Sequence, residues 1–449
     1  MRRVLIICYD FPPSSIGIWR TLKFCHYMNE FGWHPSILTV KPAPSSRWDD
    51  APLGELPPNT RIRRAGALEP ARVSHLLREA KRAILGSPAR KEGRQGPPRN
   101  TNSLLRDAME FLRRWVLIPD ERIGWLPFAY AKACRWLREE KFDAVYTTSF
   151  PATAHVVGAM LAKKFGVPLL TDFRDIWIGN YVFYHPATKF HARLQRRLEA
   201  FAISRASSVV SATSQITDDF LSRYLGEPAE KFTTITNGFD DRDFQFPEVT
   251  ADADHFTISY VGTMYGATSP QWFFEAVQQV LTENPRWNDK LRIRFVGSMV
   301  EPYRSLIRKY RLSHVVRVDD YVAHDEALRI MAEADALLLI VASVPGSHIM
   351  LTQKVFEYAA ARRPILGLIP DGAARDFLSE LNEGCIVPPD ETKPIADALR
   401  RMLKAWEVAG RERLGANPVL AKYHRRALTE RLCAELDRIA KPTRRRRPS

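Results

Sequence analysis

The chain has few cysteines and no long apolar run. Its 449 residues include five cysteines, scattered without C-x-x-C spacing. An odd, unclustered set argues against a zinc site and is typical of reduced thiols in the cytosol. No uncharged apolar stretch approaches the roughly 20 residues that a membrane-spanning helix needs. The first apolar run, Val4–Ile7, is too short for a signal peptide, and Asp10 follows it closely.

Acidic residues are fewer than basic ones, but the excess of positive charge is local. Lys and Arg number 66 against 51 Asp and Glu, which gives a formal net charge of +15. Most of this excess lies between Arg61 and Arg99 and in the last nine residues, "KPTRRRRPS". A nucleic-acid-binding protein carries its basic face within the fold. Because that distribution is missing and the sequence shows no RRM, KH, zinc-finger or helix-turn-helix signature, we expect no nucleic-acid partner.

The sequence lacks the G-x-G-x-x-G fingerprint of dinucleotide-binding domains, although its opening is similar in kind. Val4–Ile7 is apolar without alternation, as in a parallel strand buried on both faces. A turn rich in proline and serine then leads to a helical pattern that Gly32 ends. Such a turn lies at the carboxyl edge of a sheet, where Gly17 would let the backbone approach an anion. An ordinary strand-to-helix turn and an anion site both fit.

The same alternation of strands and helices runs through most of the chain. It predicts an α/β fold with parallel sheets and right-handed crossovers. The acidic, aperiodic stretch 239–255 interrupts the alternation and is predicted to be a linker. We therefore expect two doubly wound, Rossmann-like domains that face a cleft, a usual place for a small-molecule site. After the first strand, the predicted strands are "SILTVK", "DAVYTTS", "VPLLTD", "SVVSAT", "FTTITN", "FTISYVG", "LRIRFVG", "VVRVDD", "DALLLI" and "RPILGLI".

One region does not follow this alternation. Residues 86–102 are polar and rich in proline and glycine, and basic amphipathic helices are predicted on either side, within 71–85 and 103–119. Helices of this kind can lie on an anionic membrane surface. They can equally pack on the domain and leave their arginines in solvent.

Seven motifs follow one another along the chain: "YDFPPSSIGIWR", "PDERIGW", "DAVYTTSFPATAH", "DFRDIW", "NGFD", "YVGTMYG" and "KVFEYAAARRPIL". In this order they resemble the family 4 glycosyltransferases of the GT-B fold, in the branch common in bacterial polysaccharide clusters. The resemblance covers residues 1 to about 439, except near 86–102. Together with the linker it divides the chain as follows: an acceptor-side domain at 1–238 with a basic insertion at about 70–118, the linker at 239–255, a nucleotide-sugar-binding domain at 256–415, a helix at 416–440 that returns to the N-terminal domain, and a basic tail at 441–449.

The resemblance implies transfer of a sugar from a nucleotide-diphosphate donor to a glycan or lipid-linked acceptor, with retention at the anomeric carbon. The expected setting is exopolysaccharide, capsule or related glycan biosynthesis. Family members typically need no metal, and the Asp-x-Asp matches lie in the predicted linker, so we expect neither cofactor nor metal. We expect a cytoplasmic protein that is peripheral at the inner membrane face. There the tail and residues 61–114 could bind anionic lipid; the alternative is a solvated tail without a partner.

Lys354 and Glu357 are the candidate donor-binding side chains. A metal-free enzyme needs fixed cations and N–H dipoles at the leaving phosphates. Lys354 lies at the start of a helix predicted near Thr352, and by resemblance Glu357 binds the ribose hydroxyls. Gly262 and Thr263, at the end of a buried strand, could approach the phosphates through their backbone. The structural alternatives are a solvated Lys354 and, since the two residues are spaced i,i+3, a Lys354–Glu357 salt bridge.

Arg174 and Asp175 are the candidate catalytic residues. They follow a buried strand and should therefore lie at the carboxyl edge of the sheet. Arg174 takes the place where family members often carry a histidine. An ion pair of Arg174 with Asp172 or Asp175 is the structural alternative. By resemblance, the loop around Gly17 lies near the donor phosphates and the acceptor, so Gly17 is assigned to donor binding; His155 is interpreted as a structural histidine.

Two positions depart from the family pattern. Where many members have the first glutamate of an E-x7-E pair, this chain has Ile349, and His348 is the neighbouring polar group. The stretch "TMYGATSP" after the "YVG" strand carries no Arg or Lys, so Arg20 is a candidate source of the missing charge. These departures motivate one alternative, a catalytically silent binding or scaffold protein. A second alternative keeps the GT-B fold but changes the reaction to that of a sugar-nucleotide epimerase or phosphorylase, whose catalytic residues cannot be assigned.

Overall fold

The computed structural model describes residues 1–13, 17–42, 50–69, 111, 115–180, 182, 184–246, 252–264 and 266–440. The predictions for the basic helices, the loop between them and the tail lie largely outside these residues. The described residues form two compact units. Unit 1 takes them from Met1–Ala212, Thr217–Ile235 and Thr429–Ser449, and unit 2 takes them from Thr213–Ile216 and Thr236–Leu428.

Unit 1 is built on a seven-stranded sheet in the order β3-β2-β1-β4-β5-β6-β7, and all its strand pairs are parallel. Its strands are β1 Arg2–Ile7, β2 Trp33–Val40, β3 Arg61–Ala65, β4 Ala144–Ser149, β5 Leu169–Phe173, β6 Ser208–Ser211 and β7 Phe232–Thr234. The helices between them are α1 Trp19–Met28, α2 Leu126–Glu139, α3 Thr153–Phe165, α4 Lys189–Arg205 and α5 Ser214–Arg223, and the first three residues of α5 are assigned to unit 2.

Unit 2 is built on a six-stranded parallel sheet in the order β10-β9-β8-β11-β12-β13. Its strands are β8 Phe256–Val261, β9 Leu291–Val296, β10 Val316–Asp319, β11 Ala336–Ile340, β12 Ile365–Leu368 and β13 Cys385–Val387. Its helices are α6 Gln271–Glu283, α7 Glu301–Lys309, α8 His324–Glu333, α9 Gln353–Ala360, α10 Ala373–Leu381 and α11 Thr392–Ala409. The predicted class, two parallel-sheet Rossmann-like units, is confirmed.

The central strands are apolar because helices cover both faces of each sheet. Val4–Ile7 in β1 is fully buried, and so is the apolar run of β11 that begins at Ala336. These are the continuous apolar runs from which the strands were predicted. The edge strand β3 reads "RIRRA" and is only partly buried, as an edge position allows.

The strand order reverses between β1 and β4 in unit 1 and between β8 and β11 in unit 2. Ligands of open α/β sheets bind at the carboxyl ends of the strands beside such a reversal. In unit 2, pairing of β8 with β11 ends at Ser259 and Leu337, before β8 itself ends. The Tyr358 hydroxyl then takes the place of the neighbouring strand, because it accepts a hydrogen bond from the Val261 N–H at 2.8 Å.

The last helix, α12 (Arg425–Ile439), packs most of its length in unit 1. It begins later than the predicted residue 416, because a 3-10 helix occupies Pro418–Tyr423. Leu432 and Leu436 are fully buried, and Glu435 accepts a hydrogen bond from the Ser208 hydroxyl at 2.8 Å. Among the described residues, no helix is both long enough and apolar enough to span a bilayer.

Candidate active site

The carboxyl edge of the unit 2 sheet brings Lys354 and Gly262 together. Tyr358 fixes α9 to the end of β8, and Lys354 lies one helical turn earlier on the same face of α9. The Lys354 ammonium donates a hydrogen bond to the Tyr260 hydroxyl at 2.9 Å and lies 4.2 Å from the centre of that ring. The ammonium is therefore held beside the last residues of β8.

Gly262 leaves the space that this arrangement needs. Its φ angle is +135°, and a Cβ atom there would come within 3.0 Å of Lys354 Nζ. Gly297, directly after β9, packs against it, since a Cβ on Gly297 would lie 2.7 Å from the Gly262 carbonyl oxygen. Thr263 is exposed next to Gly262, and its carbonyl accepts a hydrogen bond from Tyr260 at 3.3 Å. Three of the predicted donor residues thus lie at one strand end.

The Lys354 charge is not neutralised by a carboxylate in the part of the chain that the structure describes. Within those residues it makes no ion pair inside 4 Å, and it is only partly buried. It stands in the first turn of α9, whose N-cap residue, Thr352, gives the helix no side-chain hydrogen bond. The backbone N–H groups of that turn and the ammonium together make the N-terminal end of α9 positive. This end can bind an anionic group.

Glu357 is buried and held by a small polar network. Its carboxylate accepts a hydrogen bond from Gln353 Nε2 at 3.1 Å, and His324 Nε2 lies 3.9 Å away. Gln353 also donates to the Gly238 carbonyl at 2.8 Å and accepts from Arg425. The alternative of a Lys354–Glu357 salt bridge is wrong, because the two side chains point to different partners. Glu357 keeps further acceptor positions for a ligand hydroxyl.

The loop after β11 carries the position where the family's first glutamate would stand. Ile349 is buried, and its carbonyl accepts a hydrogen bond from the Thr213 hydroxyl at 3.1 Å. His348 is exposed, with its backbone against Gly372, where a Cβ atom would lie 2.2 Å from the His348 carbonyl oxygen. The loop is therefore tightly packed, and His348, unlike Ile349, presents a polar side chain to solvent.

At the carboxyl edge of the unit 1 sheet, Arg174 links the chain segments that follow three strands. Its guanidinium donates to the carbonyl oxygens of Gly17 in the loop after β1, Ser149 at the end of β4 and Phe150 directly after it, while Arg174 itself follows β5. Gly17 has a φ angle of +63°, and a Cβ atom on it would lie 2.9 Å from Arg174 Nη1. The contacts show Arg174 as a residue that positions these loops.

Arg20 forms a buried ion pair inside unit 1, so the suggestion that it supplies positive charge at the donor phosphates is wrong. Arg20 is 2% exposed and forms two hydrogen bonds with Asp172, at 2.9 and 2.8 Å. Burial alone would raise the pKa of Asp172, but Arg20 outweighs this and holds that pKa below its ordinary value. The alternative pair of Arg174 with Asp172 is also wrong, since within the described residues they form no ion pair inside 4 Å.

Two carboxylates flank Arg174 without a hydrogen bond from any described residue. Asp175 follows β5 and Asp10 follows β1. Burial raises the pKa of Asp10 to about 6, although the charges of Arg174 and Arg122 lower it. Burial likewise raises the pKa of Asp175 above its ordinary value, against the lowering effect of Arg174. Carboxylates with free acceptor positions at such an edge are suited to bind hydroxyl groups.

His155 lies behind this edge as a buried, neutral side chain. Its Nδ1 is 2.8 Å from the Thr147 hydroxyl oxygen, and its ring packs 4.2 Å from Phe173. Burial lowers the pKa of His155 to about 3. These contacts fit the interpretation of a structural histidine.

Several residues at these edges did not emerge from the sequence. Asp10 follows a buried strand, the same signal that singled out Arg174 and Asp175. Tyr260 precedes the "VG" that ends β8, but only the fold shows that its ring receives the ammonium. The residues missed are Asp10, Tyr260, Gln353 and Tyr358.

No described group of three or more His, Cys, Asp or Glu side chains could hold a metal ion. At the unit 2 edge the fixed charge is cationic, from Lys354 and the first turn of α9. These residues fit an anionic ligand and do not form a metal-binding set.

Two Rossmann-like sheets, each with polar side chains at its point of strand-order reversal, define the GT-B class. Two family models match the chain, "Glycosyl transferase 4-like domain" over residues 17–238 and "Glycosyl transferases group 1" over residues 255–405. The chain therefore belongs to the family 4 glycosyltransferases, and its resemblance to that family is confirmed.

Individual relatives are distant. The α-D-kanosaminyltransferase of Streptomyces kanamyceticus is 23% identical over 289 residues, which cover 61% of this chain and 71% of that protein. The crystal structure of Anabaena HepE in complex with UDP is 13% identical, covers 98% of this chain and 97% of that one, and superposes with a TM-score of 0.59. The UDP-forming α,α-trehalose-phosphate synthase of Burkholderia vietnamiensis is 12% identical, with coverages of 98% and 99% and a TM-score of 0.62.

Proposed function

We propose that the protein transfers a sugar from a nucleotide-diphosphate donor to a glycan or lipid-linked acceptor, with retention at the anomeric carbon. The observation that carries the proposal is the Lys354 ammonium beside Gly262, which no carboxylate of the described residues neutralises. Cleavage of the donor leaves negative charge on the diphosphate. A fixed ammonium and the N–H groups of the α9 first turn would stabilise that charge as it develops.

The remaining donor contacts follow from the same edge. Gly262 lets the diphosphate approach the backbone closely, and the exposed Thr263 lies beside it. Glu357, one turn beyond Lys354, would accept hydrogen bonds from the ribose hydroxyls in its fixed orientation. His348 supplies a polar side chain near the position of Ile349 and would contact the donor sugar.

On unit 1 we assign the acceptor to the edge around Arg174. Asp10 and Asp175 would accept hydrogen bonds from acceptor hydroxyls, while Arg174 holds the loops that carry them. The assignment of Gly17 to donor binding rests on the resemblance; among the described residues, its carbonyl accepts a hydrogen bond from Arg174. A neutral, hydroxyl-rich acceptor suits these two carboxylates better than a phosphate does.

We propose that neither a metal nor another cofactor takes part, because Lys354 and the α9 terminus would carry out the charge stabilisation that a metal performs elsewhere. We further propose a role in exopolysaccharide, capsule or related glycan synthesis, with the protein cytoplasmic and peripheral at the inner membrane face. Membership of the family supports these points, and each needs its own test.

A panel of nucleotide-diphosphate sugars, read by release of the nucleoside diphosphate, tests the proposal. We expect release from one donor class with the wild-type protein and at least a tenfold loss with Lys354→Met. Lys393→Met is the matched control, because Lys393 is an exposed lysine on α11 without an ion pair in the described chain.

The result also separates the alternatives. An epimerase would interconvert two sugars while the nucleotide sugar stays intact. A silent binding protein would bind the nucleoside diphosphate and release nothing from any donor. Nuclear magnetic resonance coupling constants of the product give the anomeric configuration and test retention directly.

A further inference from the structure

Helix α4 presents four cations on one side. Lys189, Arg193, Arg196 and Arg197 are all exposed. Their spacing of four, three and one residues places them on one helical face. Within the described residues none of the four has a carboxylate inside 4 Å. We call this set the cation stripe.

Nothing on α4 itself neutralises the cation stripe. The acidic residue of the helix, Glu199, is fully buried. Its carboxylate accepts hydrogen bonds from Arg223 and from the Tyr224 hydroxyl, the latter at 2.6 Å, and it also accepts from the Ile178 N–H at 3.1 Å. Among the described residues, the positive charge on the exposed side of α4 therefore has no counter-charge.

An exposed aromatic patch lies at the N-terminal end of the same helix. Phe190 is 68% exposed and Trp115 is 42% exposed. The Trp115 ring packs edge-on against His191 at 5.5 Å, and its carbonyl oxygen is 3.2 Å from His191 Nε2. Phe111, which is 56% exposed, stacks on Trp115 at 6.0 Å. We call Phe111, Trp115 and Phe190 the aromatic patch.

We infer that the cation stripe and the aromatic patch together bind the surface of an anionic phospholipid bilayer. Aromatic side chains favour the interface between headgroups and acyl chains, while lysine and arginine favour anionic headgroups. Here the two kinds of side chain adjoin on one exposed surface, and the charge complements an anionic lipid. A nucleic acid is less suited, because these cations sit on one short helix face rather than along a groove.

The inference deepens the proposed function, because a transferase with a lipid-linked acceptor must work at a bilayer. Apart from Phe111, it concerns residues outside the predicted tail and region 61–114. Its test does not use the reaction, so its failure is distinguishable from failure of the transferase proposal.

Cosedimentation of the full chain with vesicles tests the inference. We use vesicles of neutral phosphatidylcholine and vesicles containing about one-third anionic phosphatidylglycerol, at low and high salt. Because each basic residue near an anionic surface strengthens binding about fivefold, Arg193→Gln with Arg197→Gln should weaken binding to anionic vesicles about 30-fold. The charge-matched control is Lys393→Gln with Lys404→Gln, two exposed lysines on one face of α11. It should bind within about threefold of wild type.

The aromatic patch has its own control. Phe190→Ala should weaken binding at least about threefold, because an inserted ring loses apolar burial. Leu225→Ala removes an apolar side chain that is 85% exposed in the same unit and should leave binding unchanged. All variants should keep wild-type donor turnover with a soluble acceptor.

Three outcomes would overturn the inference. The first is that the two α4 substitutions and the two α11 substitutions weaken vesicle binding equally, which would show that binding depends on net charge alone. The second is equal recovery with neutral and anionic vesicles at low salt. The third is loss of oligonucleotide binding in the α4 pair while vesicle binding stays intact, which would assign the cation stripe to nucleic acid.

Discussion

Lys354→Met gives the sharpest test of how the donor phosphates are bound. Methionine keeps most of the side-chain length and removes the ammonium, which contacts the Tyr260 hydroxyl at 2.9 Å and no carboxylate inside 4 Å in the described chain. A charge-assisted hydrogen bond to a phosphate contributes about 1.5–3 kcal/mol. The dissociation constant of the cognate nucleoside diphosphate should therefore rise about 10- to 150-fold.

The same substitution has a smaller, separate effect on stability. The ammonium lies 4.2 Å from the Tyr260 ring centre, and such a cation–π contact at a partly exposed site contributes about 0.5–1 kcal/mol. The melting temperature of unit 2 should fall by about 1–4 °C. Isothermal titration calorimetry and scanning calorimetry on the same samples measure the two effects.

Tyr260→Phe is the control for the position of the ammonium. It removes the hydroxyl that Lys354 contacts but keeps the ring and the charge, so affinity for the nucleoside diphosphate should change less than about threefold. If Lys354→Met lowers the melting temperature but leaves the affinity within twofold of wild type, Lys354 stabilises unit 2 and does not bind the phosphates.

Four further predictions follow from the two sheet edges. Glu357→Ala should weaken binding of the nucleoside diphosphate at least about tenfold by calorimetry, because it removes a charged acceptor; a normal affinity with a lowered melting temperature would make Glu357 a purely structural residue. Activity should be complete in excess chelator, and a loss that Mg²⁺ or Mn²⁺ restores would contradict the proposed metal-free mechanism. If ionised Asp10 accepts the acceptor hydroxyl, kcat/KM should fall as the pH drops through about 6, and this limb should disappear in Asp10→Asn. Asp172→Asn should lower the free energy of unfolding by about 3–5 kcal/mol in denaturant titrations, since it leaves Arg20 buried without its counter-charge, whereas Glu139→Gln at a surface pair should change little.

The sign of the Asp10 effect on stability is opposite to that of Asp172. The pKa of Asp10 is raised to about 6 in the folded protein, so the stability it contributes is present below its unfolded pKa and is lost as the pH rises through about 6. The pKa of Asp172 is lowered, so its contribution is present above its unfolded pKa and is lost as the pH falls through the folded value. Acid should thus destabilise unit 1 mainly through Asp172.

Sequence patterns predicted the strands wherever a strand is apolar on both faces. All eleven predicted strands, the first at Val4–Ile7, are confirmed, with ends that differ by only a few residues. The sequence patterns did not predict two strands, β3 and β13. β3 is an arginine-rich edge strand that shows no apolar run, and β13 has only three residues, "CIV". Both lack the run of four or more apolar residues, or the alternation over a similar length, that marks a strand in a sequence.

The candidate site was predictable in its positions but not in its contacts. The rule that charges after a buried strand lie at the carboxyl edge selected Arg174 and Asp175, and the family motif selected Lys354. The same rule could not show that Arg20, which lies far away along the chain, pairs with Asp172. Arg174 instead donates hydrogen bonds to loop carbonyls. Pairing of charges depends on tertiary packing, which local patterns do not contain.

The division of the chain has a consequence for how the protein forms during synthesis. Unit 1 contains both the first strand and most of the last helix, α12, whereas unit 2 is almost continuous between them. Leu432 and Leu436 of α12 are fully buried in unit 1. Domains usually fold in the order in which they emerge from the ribosome. Here the unit that emerges first must wait for residues near 440 to complete its core, so unit 1 cannot finish folding before unit 2 has been synthesised.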